Sequence, residues 1–252
     1  MRSIVIIARF VVLEALRGGL PWLAFACIAA SVGLAAFLAQ VALTETREFQ
    51  AAGAAALLRA GAAFLIAAHV VASIAREASD RGLELALTLP ISRSTYYAGK
   101  LTGFACSAVL LATAFSMPLL LWSAPGALVA WWLSLAMETA LVAAMALFFS
   151  MSLNGVVPGI AATAGLYLLG RSVVTMQAIA VGPVAELREG ALFGVVETLA
   201  LVLPRLDTST RTEWLLYGAP AASELIAALA ASAAYCVFLA AAGLFDFSRR
   251  DL

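Results

Sequence analysis

Six long apolar tracts separated mostly by short polar links set the pattern of the chain, at 20–43, 54–75, 101–122, 127–150, 156–181 and 222–245. Each has the roughly 20 residues a helix needs to cross about 30 Å of hydrocarbon. The pattern predicts an all-α integral membrane protein with six spans, sequential helices being antiparallel neighbours. Ahead of the first tract, Ile4, Ile7, Phe10, Val11, Glu14 and Arg17 recur at near-helical spacing. That spacing predicts an amphipathic interfacial helix over 1–19, the competing reading being a long first span with snorkelling arginines.

Two links break the rhythm. REASDRGLELALTLPISRSTYYAGK, residues 76–100, is the most highly charged run in the chain. Its leucines at 83, 85, 87 and 89 alternate as in a strand, yet the segment is rich in helix formers and Pro90 marks a stop. The reading is a short helix, a turn over Pro90–Ser92, and a second helix from near Ser94, capped by that hydroxyl and running through Lys100 into the third span. The other link, 182–221, contains ALFGVVETLALVLP, too short to cross a bilayer and carrying Glu197 in its middle. It reads as an interfacial or re-entrant helix; a seventh span would move Arg249 and Arg250 to the opposite side.

Composition agrees: 64% of the 252 residues are hydrophobic and 12% charged, well outside the range of soluble domains. With 15 basic residues against 15 acidic, no net positive charge points to nucleic acid. Cys27, Cys106 and Cys236 lie in apolar tracts without metal-ligand spacing and read as small core hydrophobes. The N-terminus begins like a signal sequence, but Arg9, Glu14 and Arg17 interrupt it and no small-residue cleavage site follows, so it reads as retained. With both termini cytoplasmic, Arg2, Arg9, Arg17, Arg76, Arg81, Arg93, Lys100, Arg249 and Arg250 fall inside. Arg47, Arg59, Arg188, Arg205 and Arg211 fall outside, and this excess favours that orientation in a bacterial inner membrane.

Three ionisable residues are expected within spans, where each is costly. Glu138 and Arg171 lie at matched depths, about 18 and 22 Å from the inner ends of adjacent spans. An ion pair between them would join the fourth and fifth spans, and replacing both by leucine should be far milder than replacing either. The competing role is contact with a transported substrate. His69, the only histidine, lacks companions for a metal site or a triad and is expected to make a helix–helix hydrogen bond. Met117, Met145, Met151 and Met176 do not cluster into a metal path. Small-xxx-small pairs such as Gly155–Gly159 suit close helix packing.

The insert also carries a resemblance. Arg76-Glu77, Gly82, the leucines to Leu89, Pro90, Ser92-Arg93, Tyr96 and Gly99-Lys100 stand in the order of the signature of ABC-2 type transporter permeases. The N-terminal helix, six spans, long outer link and the ending at Phe247–Leu252 resemble that family too. The resemblance implies a homodimer that binds a dimer of cytoplasmic ATPase subunits and couples ATP hydrolysis to export or to conformational transmission. It implies that 76–100 is a coupling element, with Arg76 and Glu77 at its membrane base and Leu83, Leu85, Leu87 and Leu89 against the ATPase. Arg93 and Lys100 would fix the loop to the ATPase or to lipid phosphates; the alternative is a solvated loop that serves topology alone. A second coupling contact is implied for SMSLNG, between the fourth and fifth spans, which can equally be a plain turn.

The chain itself carries no nucleotide site, since Gly99-Lys100 lacks the glycines of a phosphate-cradling loop. ATP and magnesium would belong to the partner, and neither a catalytic residue, a metal nor a cofactor is expected on this chain. Ion-driven secondary transport or a channel is the alternative, for which converging intramembrane acids would be the mark. An integral-membrane enzyme would need a polar catalytic cluster, and none is legible. The cargo is not legible either. The acidic outer link, with Glu186, Glu189, Glu197, Asp207 and Glu213, can gate an exit, bind a periplasmic partner or form a solvated rim.

Overall fold

The structure is a computed structural model that describes residues 2–41, 45–80, 92–153, 155–180, 198, 203–204, 206–209 and 211–249. The described elements are all helical: α1 (Arg2–Arg17), α2 (Leu20–Val41), α3 (Thr46–Ser79), α4 (Arg93–Ser116), a 3-10 turn at Pro118–Leu121, α5 (Pro125–Ser152) and α6 (Val156–Ala180), then the short α7 (Leu206–Ser209) and α8 (Glu213–Tyr217), and α9 (Ala222–Arg249). Six of these stretches are long and apolar enough to cross a membrane. They coincide with the six tracts expected from sequence, except that α3 extends eight residues further toward its start and α4 reaches back to Arg93.

Local chemistry explains several boundaries. Ser92 caps α4, its hydroxyl accepting from the Thr95 N–H at 3.2 Å, so the cap lies two residues before the Ser94 expected from sequence. Pro118 lacks the N–H that continued α-helix requires, and the chain tightens into a 3-10 turn there. Pro125 occupies the first turn of α5, where its missing donor costs nothing.

α3 and α5 form the buried centre and α4 closes on both, while α2, α6 and α9 are largely exposed around them. The core is filled by Leu58 and Ile66 of α3, Phe104 and Phe115 of α4, and Trp131 and Leu135 of α5. A stripe of buried alanines on α3, from Ala51 to Ala67, brings its neighbours close. Large apolar side chains such as Trp22, Phe25, Ile226, Val237 and Phe238 point out of the bundle, as a hydrocarbon surround allows. Cys106 is among the outward-facing residues, so it is not the core hydrophobe expected of it, whereas Cys27 and Cys236 are half-buried.

The glycines that let helices touch are not the expected pair. Gly155 has φ of +114° and turns the chain between α5 and α6, and Gly159 faces Val71 across an ordinary gap. Close approach happens instead at Gly99 and Gly103 on α4. A methyl group at Gly103 would lie 2.6 Å from Val11 Cβ, and one at Gly99 would lie 2.8 Å from Ile7 Cβ, both on α1. One face of α1, with Val11 and Ala15, is thereby buried. Val5, Ile6, Phe10 and Leu16 remain exposed on the same helix.

Candidate functional site

Among the described residues, the larger gatherings of polar side chains are one at mid-bundle and one at the end that holds Glu77, Lys100 and Phe247. The mid-bundle group is centred on Glu138 of α5, whose side chain is 1% exposed. Arg59 Nη1 of α3, equally buried, donates to Glu138 Oε2 at 2.5 Å, and its Nη2 donates to Ser134 Oγ at 3.0 Å. On the other side Arg171 Nη1 of α6 donates to Glu138 Oε1 at 3.0 Å and to the Tyr167 hydroxyl at 3.0 Å. Tyr167 in turn donates to the same Oε1 at 2.8 Å. The Arg59 guanidinium also lies 5.2 Å from the centre of the Trp131 ring, a cation–π contact in desolvated surroundings.

The expected Glu138–Arg171 contact is therefore present, but it is half of a larger arrangement. One carboxylate is shared by two arginines, and the more deeply buried partner is Arg59; Arg171 is 34% exposed. Consequently the expectation that removing both Glu138 and Arg171 is mild does not survive. That pair of changes would leave Arg59 enclosed with no counter-ion. From sequence Arg59 counts among the outer basic residues, although it lies near the start of the 54–75 tract, so its burial is not expected. α3 begins at Thr46, which puts Arg59 about 20 Å inside the helix at 1.5 Å per residue. A lone arginine in the Ala-rich run AALLRAGAAF was the available signal.

At the other gathering point, the residues flanking the charged insert are tied into the bundle. Glu77, near the end of α3, pairs with Lys100 of α4 at 2.5 Å. Lys100 is buried, with the Tyr96 and Phe104 rings about 6 Å away on its flanks. Its expected contact with a partner protein or lipid phosphate is corrected accordingly, because its charge is spent inside the chain. Tyr96 is also buried and stacks on Phe247 of α9 at 6.0 Å between ring centres. Tyr97 lies so close to Gly243 that a side chain there would collide with its hydroxyl. Arg93 Nη1 donates to the Phe247 and Ser248 carbonyls at 3.5 Å, and Ser152 of α5 donates to Asp246 at 2.8 Å.

α1 joins the same region through Glu14. Ser73 donates to Glu14 Oε2 at 2.9 Å, and Arg76 donates to Oε1 at 2.8 Å. Burial alone would raise the Glu14 carboxyl. The hydrogen bonds from Arg76 and Ser73, with Lys100 nearby, outweigh it and hold the group below its ordinary range.

Among the remaining site residues read from sequence, Gly82, Leu83, Leu85, Leu87, Leu89 and Pro90 lie outside the described residues, as does most of 182–221. Arg76 is exposed beside Glu14. His69 does not make the expected hydrogen bond through Nε2, which has no partner among the described residues. Its ring meets Phe104 edge-on at 5.9 Å, so the contact between α3 and α4 is aromatic. No group of metal-binding side chains occurs among the described residues. No protein-family model matches the chain, and no curated protein matches it either.

Proposed function

We propose that this chain is the membrane subunit of an ATP-driven transporter of the ABC-2 permease type, working as a homodimer with a separate cytoplasmic ATPase dimer. The supporting observation is the ordered motif from Arg76-Glu77 to Gly99-Lys100 between two helices whose adjoining ends are tied into the bundle by side-chain contacts. Glu77 is paired with Lys100, Arg93 reaches two carbonyls of α9, and Tyr96 stacks on Phe247. A push on the segment between those anchors would move α3, α4 and α9 as one body, which is what a coupling element requires. The base of the element is thus assigned to Arg76, Glu77, Arg93, Tyr96 and Lys100, and its contact face to Leu83, Leu85, Leu87 and Leu89.

Orientation in this reading puts the Lys100 end in the cytoplasm. Among the described residues, Arg2, Arg9, Arg17, Arg76, Arg93, Lys100 and Arg249 belong to that end and Arg47 and Arg211 to the opposite one, a bias in the sense of the positive-inside rule. The exposed apolar residues of α1 then lie at the inner membrane surface as an interfacial helix. ATP and magnesium act on the partner, and this chain relays the motion to export of a cargo or to another complex. Ion-driven transport has less support, because both oxygens of Glu138 are already occupied by Arg59, Arg171 and Tyr167.

The test is co-purification from the native membrane followed by substitution of the insert. An ATPase subunit should accompany the wild-type chain in mild detergent, and Leu85→Asp or Leu87→Asp should lose it while the six helices remain inserted. An ATPase that never co-purifies, or that is retained by both variants with unchanged transport, would overturn the proposal.

A further inference from the structure

A cleft of about 510 Å3 opens where α1 gives way to α2 against the flank of α3. Its lining divides by chemistry. Arg17, Arg76, Glu14 and the His69 ring supply the polar part, and Leu20, Leu23, Phe64 and Leu65 supply the apolar part. The break between the helices, Gly18-Gly19, leaves Arg17 at the last turn of α1, three residues before the apolar run of α2 begins.

The charges in the cleft do not balance. Glu14 is engaged through both oxygens, with Arg76 and with Ser73. Arg17 is exposed and makes no ion pair among the described residues. Arg76, although paired with Glu14, is 60% exposed and has further donors to offer. Two guanidiniums against one carboxylate leave one positive charge beside an apolar wall on which Leu23 and Phe64 remain 55% and 65% exposed.

We propose that this cleft is a binding site for one anionic glycerophospholipid. Its phosphodiester lies between Arg17 and Arg76, and one acyl chain runs along Leu20, Leu23, Phe64 and Leu65. A monoanionic phosphodiester neutralises the surplus charge and suits the fork geometry of guanidinium donors. A zwitterionic headgroup would bring a cation beside two arginines, and free phosphate would leave the apolar wall uncovered. The site requires only that the helices lie in a bilayer, so it stands or falls separately from the transport reading.

Native mass spectrometry of the full-length protein in detergent, titrated with phosphatidylglycerol or phosphatidylethanolamine, tests this. Phosphatidylglycerol should bind once per chain and more tightly than phosphatidylethanolamine. Arg17→Gln should weaken it about fivefold to tenfold, as loss of one basic group near a membrane surface implies. Arg17→Lys keeps the charge but loses the guanidinium fork, and should bind more weakly than the wild type and more tightly than Arg17→Gln. Ala68→Leu, on the cleft wall, should weaken the same lipid without any change of charge. Equal affinity for the two lipids, an unaffected Arg17→Gln protein, or displacement by millimolar inorganic phosphate would each overturn the proposal. A loss in Arg17→Lys as large as in Arg17→Gln would do so too, since the retained charge would then carry no affinity.

Discussion

The mid-bundle network and the Lys100 end use similar side chains in opposite ways. At mid-bundle a single carboxylate serves two arginines and a tyrosine, all held by three different helices. At the Lys100 end the cations that are paired have separate acceptors: Arg76 has Glu14, Lys100 has Glu77, and Arg93 has main-chain carbonyls. A shared acceptor makes the network only as strong as that one group. Separate pairs near water fail one at a time, and each freed charge can still reach solvent. The difference follows from depth, since a lipid-level position offers no water to replace a lost partner.

The sharpest way to break this comparison is at Glu138. Glu138→Leu should destabilise the protein by about 3–5 kcal/mol, the usual cost of leaving a buried charge unpaired. Arg171→Leu should cost about 1 kcal/mol, in line with interhelical polar contacts in membranes, because Arg59 still neutralises the acid. The Glu138→Leu/Arg171→Leu double variant should be as damaged as Glu138→Leu alone. Arg59→Met/Glu138→Leu should recover most of the loss, leaving only Arg171, which keeps its bond to the Tyr167 hydroxyl. Denaturant-induced unfolding in detergent reads all four. Recovery in the pair lacking Arg171 instead would make Arg171 the principal partner and undo the ranking by burial.

How far the sequence could be read divides along the same line. The six spans were legible because apolar length is a property of each tract alone. Glu138 and Arg171 were legible as partners because their helices are consecutive, so depth could be counted from a shared short link. Arg59 lies 79 residues from Glu138 on a helix whose true start, Thr46, falls in a polar-looking stretch, and no local pattern fixes its depth. The Gly99–Gly103 approach to α1 was hidden for a related reason: an Ala- and Gly-rich chain offers many such spacings, and only the arrangement of helices selects one. Lys100, expected on a helix leading into the third span, looked available to an outside partner because its cage of Tyr96, Phe104 and Glu77 forms only after α3 and α4 have packed.

At the Lys100 end the opposite rule for double variants should hold. Glu77 and Lys100 have side chains 22% and 9% exposed, so the pair is desolvated but lies close to the end of the bundle. Lys100→Met should cost about 1–2 kcal/mol, between the worth of an exposed ion pair and the cost of breaking a fully buried one. Lys100→Met/Glu77→Gln should be milder than Lys100→Met alone, since the acid no longer stands without its counter-ion. The same unfolding assay applies. If the double variant here is as poor as the single, the two regions do not differ in the way their connectivity implies.

The smallest effect is expected at Glu14, and it sharpens the comparison through pH. Its folded carboxyl titrates below its ordinary range, since the bonds from Arg76 and Ser73 outweigh burial. A depressed acid stabilises the folded form above its unfolded pKa and loses that contribution as pH falls through the lower, folded value. The docking of α1 on α3 should therefore be constant at neutral pH and weaken only in the acid range, below about the ordinary carboxylate pKa of 4.5. Hydrogen exchange of the α1 amides, corrected for the intrinsic pH dependence, should show protection falling there in the wild type. In Glu14→Gln, protection should already be low and should not change over the same range. Gly99 and Gly103 still hold Ile7 and Val11 in that variant, so the helix should loosen at its Arg17 end first. Uniform loosening along α1 would mean that the polar contacts, and not the glycine face, hold the helix in place.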